Sequence, residues 1–62
     1  MGNRVALERL VIMATRLGLR SFELALRLDI DPDRLNNGGI REVLELALID
    51  DDPEWIMHQM ES

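Results

Sequence analysis

The chain has 62 residues, a formal net charge of −5 and a hydrophobic fraction of 47%. This length suffices for one small domain, and a chain without Cys has no disulfide to reinforce it. The sequence contains neither an apolar run of the roughly 20 residues that a bilayer requires nor a signal-peptide pattern. We therefore expect a cytoplasmic protein without a membrane partner.

The charges are divided unevenly along the chain. Residues 1–20 carry four Arg and one Glu, whereas residues 21–62 carry three Arg and eleven Asp or Glu, and Lys is absent. Affinity for a polyanion depends on basic side chains that displace counterions. The acidic remainder therefore argues against strong DNA binding and favours contact with a basic partner.

The first predicted helix runs from about Arg4 to Leu17. Gly18 is expected to end it, because a helix often stops at a residue with positive φ. Val5 and Ile12 lie one heptad apart on the polar side of this helix and form a possible interaction patch. At 100° per residue, one apolar arc collects Met13, Ala6, Leu17, Leu10, Ala14, Leu7 and Val11.

Two further helices are predicted in the middle of the chain. Ser21 is expected to cap the second, over about residues 21–28. Asp31-Pro32 is expected to open the third, because Asp caps well and Pro suits the first helical position. The run Asn36-Asn37-Gly38-Gly39 should break this third helix after about a turn and a half.

The last two predicted helices run from about Ile40 to Ile49 and from Asp52-Pro53-Glu54 onward. We expect Trp55 to pack against the first and fourth helices and to close the core. An alternative interpretation makes residues 42–58 a β-hairpin around Asp50-Asp51-Asp52-Pro53. Because Glu, Leu and Ala dominate the first arm, the helical interpretation is favoured.

The order of these segments and the residues at their junctions resemble a known family. The chain is similar, over nearly its whole length, to the lambda-repressor-like (Cro/cI-type) helix-turn-helix DNA-binding domains of phage and bacterial regulators. The resemblance implies an all-α fold, a compact bundle of five short helices forming one domain over residues 1–62. It rests on Leu17-Gly18-Leu19, Glu23-Leu24-Ala25, Asp29-Ile30, Leu35, Asn37-Gly38, Leu44 to Leu48 and Asp52-Pro53-Glu54-Trp55-Ile56.

The same resemblance implies double-stranded DNA as a partner, because the third helix of such domains enters the major groove. Pro32 and Asp33 would then lead the recognition helix, where Pro has no donor and a carboxylate repels phosphate. DNA binding is therefore expected to be weak. The DNA-binding residues implied by the resemblance are Arg20, Ser21, Arg34, Asn36, Asn37 and Arg41.

No pattern in the sequence indicates catalysis, a cofactor or a metal site. The alternation Asp29-x-Asp31-x-Asp33 imitates the opening of a calcium loop, but Arg34 stands where that loop needs Gly and Ile40 where it needs a bidentate acid. We interpret these Asp residues as turn and cap acids. The chain is therefore predicted to be a non-enzyme.

Two classes of function remain open, with a third behind them. The first is a DNA-binding transcription regulator, and the second is a protein-interaction module on the same scaffold, such as an antirepressor or adaptor with a basic protein partner. In either class, Val5 and Ile12 could mediate a homodimer. The third is a designed protein with no biological function, which the absence of Lys, the many Leu and the regular caps would also fit.

Overall fold

The computed structural model describes residues 2–36 and 38–62, which form four α-helices, one 3₁₀ turn and no strand. The prediction of an all-α fold is confirmed, and the hairpin alternative for residues 42–58 is wrong. The predicted third helix is reduced to the three-residue 3₁₀ turn. The elements are α1 (Gly2–Arg16), α2 (Ser21–Arg27), the 3₁₀ turn (Pro32–Arg34), α3 (Ile40–Asp50) and α4 (Pro53–Glu61).

One core joins all four α-helices. Helix α3 packs against α1 and α2, and α4 also contacts both of those helices. In α1 the predicted apolar arc is largely confirmed, but Leu17 is 49% exposed because it follows the last helical residue. The buried side chains are Leu7, Leu10, Ala14, Leu19, Leu24, Ala25, Leu28, Ile30, Val43, Leu44, Ala47, Ile56 and Met60.

Helices α1 and α2 each end in a hydrogen-bonded turn of the same type. Gly18 N donates to Thr15 O and Leu19 N to Ala14 O, both at 3.1 Å, which is the Schellman pattern. Gly18 has φ +72°, as this turn requires. At the end of α2 the equivalent position is Asp29, with φ 61°, and an L side chain is less favourable there than Gly.

The predicted helix starts are confirmed at two positions and wrong at one. The carboxylates of Asp31 and Asp52 accept from the backbone N–H two residues later. Ser21 is not the cap of α2 but its first helical residue. The cap is Arg20, whose backbone N donates to Glu23 Oε1 at 3.1 Å, so the helix start is closed by Glu23 rather than by a hydroxyl.

The expectation that Trp55 closes the core is wrong. Trp55 is 41% exposed, whereas Ile56 and Met60 are 0% and 2% exposed. These two residues are four apart, so they lie on one face of α4. They dock α4, and Trp55 lies beside them at the surface. None of the helices formed by residues 2–36 and 38–62 has the length and hydropathy to cross a membrane.

Candidate interaction surfaces

The residues that the family resemblance implies for DNA contact are distributed over several parts of the molecule. Arg20 is exposed and Ser21 half-buried at the start of α2. Arg34 is exposed at the end of the 3₁₀ turn, and Asn36 is exposed two residues later. Asn37 lies outside the described residues.

The loop before α3 is held by a carboxylate of α3 itself. Glu42 Oε2 accepts from Asn36 N at 2.8 Å, and Glu42 Oε1 accepts from Gly38 N at 3.1 Å. Because Glu42 uses these backbone donors, they are not available to a phosphate.

Arg41 is engaged by the first helix. Its Nη1 lies 2.8 Å from Glu8 Oε2, in an exposed pair that links α3 to α1. The hydrogen bond from Arg41 lowers the pKa of Glu8, and the same bond raises the pKa of Arg41. Arg41 and Arg34 line different hollows, and each of the two hollows also has carboxylates in its lining. Neither cation therefore lies on a purely basic surface.

Val5 and Ile12 are exposed as predicted, at 59% and 53%. Val5 lines an open groove of about 300 Å³ between α1 and α4, together with Pro53 and Met57. Arg9 is the charged residue of that groove. The patch is thus apolar with a basic edge.

A second hollow, of about 380 Å³, lies where the ends of α2 and α3 meet the start of α4. Trp55 and Ile49 border it, and they are 41% and 72% exposed. We call this region the acidic hollow, because its rim carries three carboxylates and one guanidinium. Its charged residues are Asp29, Arg34, Asp50 and Asp51.

The outer face of α2 carries two exposed apolar side chains that the sequence analysis did not single out. Phe22 and Leu26 are 59% and 58% exposed and lie four residues apart. We call this pair the α2 strip. Beside it, Leu26, Asp29, Ile30, Asp31 and Pro32 line a hollow of about 280 Å³, which we call the Leu26 hollow.

Arg27 joins the end of α2 to the end of α4. Its Nη1 donates to the carbonyl oxygens of Met60 at 3.0 Å and Ser62 at 2.8 Å. These two hydrogen bonds satisfy carbonyls that the end of a helix leaves unpaired. They also hold the Arg27 side chain against the end of α4.

The sequence analysis predicted neither the role of Glu42 nor that of Arg27. Glu42 is the third residue of α3, where an acid commonly reaches back to the backbone before the helix, so its position was a usable signal. Arg27 bonds to residues more than thirty positions away, and no local pattern indicates such a partner.

Comparison of the chain with protein-family models, with curated proteins and with solved structures gave no match.

Proposed function

We propose that this chain is a non-catalytic, helix-turn-helix-like domain that serves as a protein-interaction module and binds DNA only weakly. The observation that carries the proposal is the acidic hollow, where carboxylates lie beside an exposed Trp and an exposed Ile. This combination is suited to a Lys or Arg side chain of a protein partner. An antirepressor or adaptor of basic regulators would use such a surface.

The hollow offers a cation two kinds of contact. The indole face of Trp55 attracts a cation by its quadrupole, an effect of about 0.5–1 kcal/mol at an exposed site. Asp50 and Asp51 add Coulombic attraction that raises the association rate and selects against acidic partners. Arg34 offsets only part of this charge, because three carboxylates share the rim with it. Ile49 supplies apolar surface for the stem of the incoming side chain.

Weak DNA binding has a structural reason as well as an electrostatic one. The segment equivalent to a recognition helix is a single 3₁₀ turn of three residues, with none of them buried. Asp31 and Asp33 flank its start, and Glu42 takes up the backbone donors of the next loop. The turn itself therefore offers one basic side chain, Arg34, for a phosphate contact.

Binding of a basic partner is tested with a helical peptide that carries Arg and Leu on one face. Trp55 is the single Trp of the chain, so its fluorescence reports occupation of the hollow directly. We expect a salt-sensitive change in emission that saturates, and a several-fold loss of affinity in Asp50→Asn with Asp51→Asn. The matched control is Glu45→Gln with Glu61→Gln, which removes two exposed carboxylates elsewhere. If both variants lost affinity for the peptide equally, binding would depend on net charge alone, and the proposal would be contradicted.

DNA binding is measured in parallel, by fluorescence anisotropy of a mixed-sequence duplex over a range of salt concentrations. We expect weak binding with a shallow dependence on salt, since the slope reports the number of phosphates neutralised. Tight, sequence-selective binding with a steep slope would overturn this part of the proposal and favour an ordinary regulator.

A further inference from the structure

The α2 strip has the properties of a self-complementary surface. Phe22 is a protruding aromatic side chain, and the Leu26 hollow lies beside its neighbour on the same strip. A twofold-symmetric interface requires a surface that is complementary to itself, because the same patch meets itself. We propose that two copies of this chain associate through antiparallel α2 helices, with Phe22 of each copy packed against Leu26 of the other.

The spacing of the residues fixes the register of this pair. When two α2 helices run antiparallel and are centred on Leu24, Phe22 of one copy lies opposite Leu26 of the other. The Leu26 hollow, an open depression of about 280 Å³, borders this contact. By symmetry the contact between Phe22 and Leu26 occurs twice in the dimer.

Charge supports the antiparallel orientation. The exposed Arg20 stands at the start of α2, and Asp29 and Asp31 stand beyond its end. Antiparallel pairing brings the basic end of each copy to the acidic end of the other. Arg27 does not oppose this arrangement, because its guanidinium is bonded to the carbonyls at the end of α4.

The exposed patch on α1 is less suited to pairing with itself. An antiparallel pair of α1 helices centred between Val5 and Ile12 would set Arg9 of one copy opposite Glu8 of the other, and Glu8 is already paired with Arg41 of α3. Association through α1 would therefore compete with that ion pair. The second copy is assigned to α2, and the α1 patch becomes a control.

The dimer should be weak, because a short helix buries less area than the roughly 1,200 Å² of a stable interface. It is tested by sedimentation velocity of the full chain from micromolar to millimolar concentration. We expect the sedimentation coefficient to rise from that of a monomer to that of a dimer and to stop there, because a twofold interface is closed.

Phe22→Ser with Leu26→Ser should raise the dissociation constant at least about tenfold, as expected when the central apolar anchors of an interface are truncated. The matched control is Val5→Ser with Ile12→Ser, which alters side chains of similar exposure and should leave association unchanged. Circular dichroism establishes that each variant keeps its helical content. Both pairs are exposed, so the fold is expected to survive.

Charge variants test the orientation. Arg20→Gln and Asp29→Asn should each weaken the dimer several-fold, and the double variant should be little weaker than either single one. Asn is chosen because it tolerates the positive φ of residue 29. A monomer at all concentrations, assembly beyond a dimer, or association lost in the α1 variant but kept in the α2 variant would overturn the proposal. Asp29 also borders the acidic hollow, so the separation of the two proposals rests on the Phe22, Leu26 and Arg20 variants, which alter no residue of that hollow.

Discussion

Two segments of this chain begin with the same local signal and end differently. In Asp31-Pro32-Asp33 and in Asp52-Pro53-Glu54, an Asp caps the segment and Pro takes the first helical position. The capping bonds are alike, at 3.0 Å and 3.1 Å. Yet the first segment continues for three residues as a 3₁₀ turn, whereas the second continues for nine residues as α4.

The difference lies in the residues that come after the cap. Ile56 and Met60 stand beyond the second signal at helical spacing and are buried in the core. Beyond the first signal come the half-buried Leu35 and then the polar and Gly-rich run from 36 to 39. Starting a helix is costly, and short helices persist mainly through the burial of an apolar face. A cap therefore decides where a helix begins, and burial decides whether it continues.

The largest effect that this comparison predicts is at Ile56. Ile56→Ala should cost about 2–5 kcal/mol of the free energy of unfolding, because it leaves a cavity in a fully packed site. Trp55→Ala should cost far less, because its side chain is 41% exposed. Denaturant unfolding followed by far-UV circular dichroism measures both.

A small domain has little stability to lose, so Ile56→Ala could unfold entirely at room temperature. Ile56→Val provides a milder step, with an expected cost of about 0.5–1.5 kcal/mol. If Trp55→Ala were as damaging as Ile56→Ala, the docking of α4 would depend on the indole as much as on the buried Ile56, which contradicts the prediction.

The second effect compares the two caps directly. Asp52→Ala should cost about 1 kcal/mol, the usual effect of losing an N-cap side chain, because α4 supplies buried residues to the core. Asp31→Ala should cost less, because no residue of the 3₁₀ turn is buried. Thermal unfolding of the two variants beside the wild type decides the point, and equal losses would contradict it.

The local signals of the sequence predicted where the chain turns better than how far each element extends. Gly18 and the two Asp caps depend on nearest neighbours, so they could be read directly from the sequence. The extent of the 3₁₀ turn and the exposure of Trp55 depend on which side chains find space in the core. That information is distributed over the whole chain.

The same contrast applies to the candidate sites. The exposure of Val5 and Ile12 followed from helical periodicity within one element. The acidic hollow combines residues from the ends of α2, α3 and α4, so no single stretch of sequence contains it. The pairing of Arg41 with Glu8 also required knowing that α1 and α3 are neighbours.

A third prediction concerns the end of α4, which is held by a distant side chain. Arg27→Gln should remove the bonds to Met60 O and Ser62 O and increase fraying of the last turn. Hydrogen bonds to charged groups contribute about 1.5–3 kcal/mol when shielded, and the exposure of Arg27 should reduce this to about 1 kcal/mol or less.

Amide hydrogen exchange resolved by residue measures this effect. Exchange should accelerate in the last turn of α4 and stay unchanged at Val43 and Leu44, which are buried in α3. Arg16→Gln, at the exposed end of α1, is a control for loss of a positive charge. Unchanged exchange in α4 would show that burial of Met60 alone fixes the helix end.

The smallest effect is expected from the exposed ion pair between α1 and α3. Arg41 lowers the pKa of Glu8 below its ordinary value of 4.5 through a hydrogen bond, so the pair stabilises the fold when Glu8 is ionised. Its contribution is present above pH 4.5 and is lost as the pH falls through the lower pKa of the folded protein. Arg41 stays charged throughout.

Exposed pairs contribute little, so the difference in unfolding free energy between wild type and Glu8→Gln should be small near neutral pH and should shrink in high salt and at low pH. The Ile56→Val effect should persist across the same pH range. A Glu8→Gln effect that equalled the Ile56→Val effect, or that grew on acidification, would mean that exposed charge rather than burial holds these helices together.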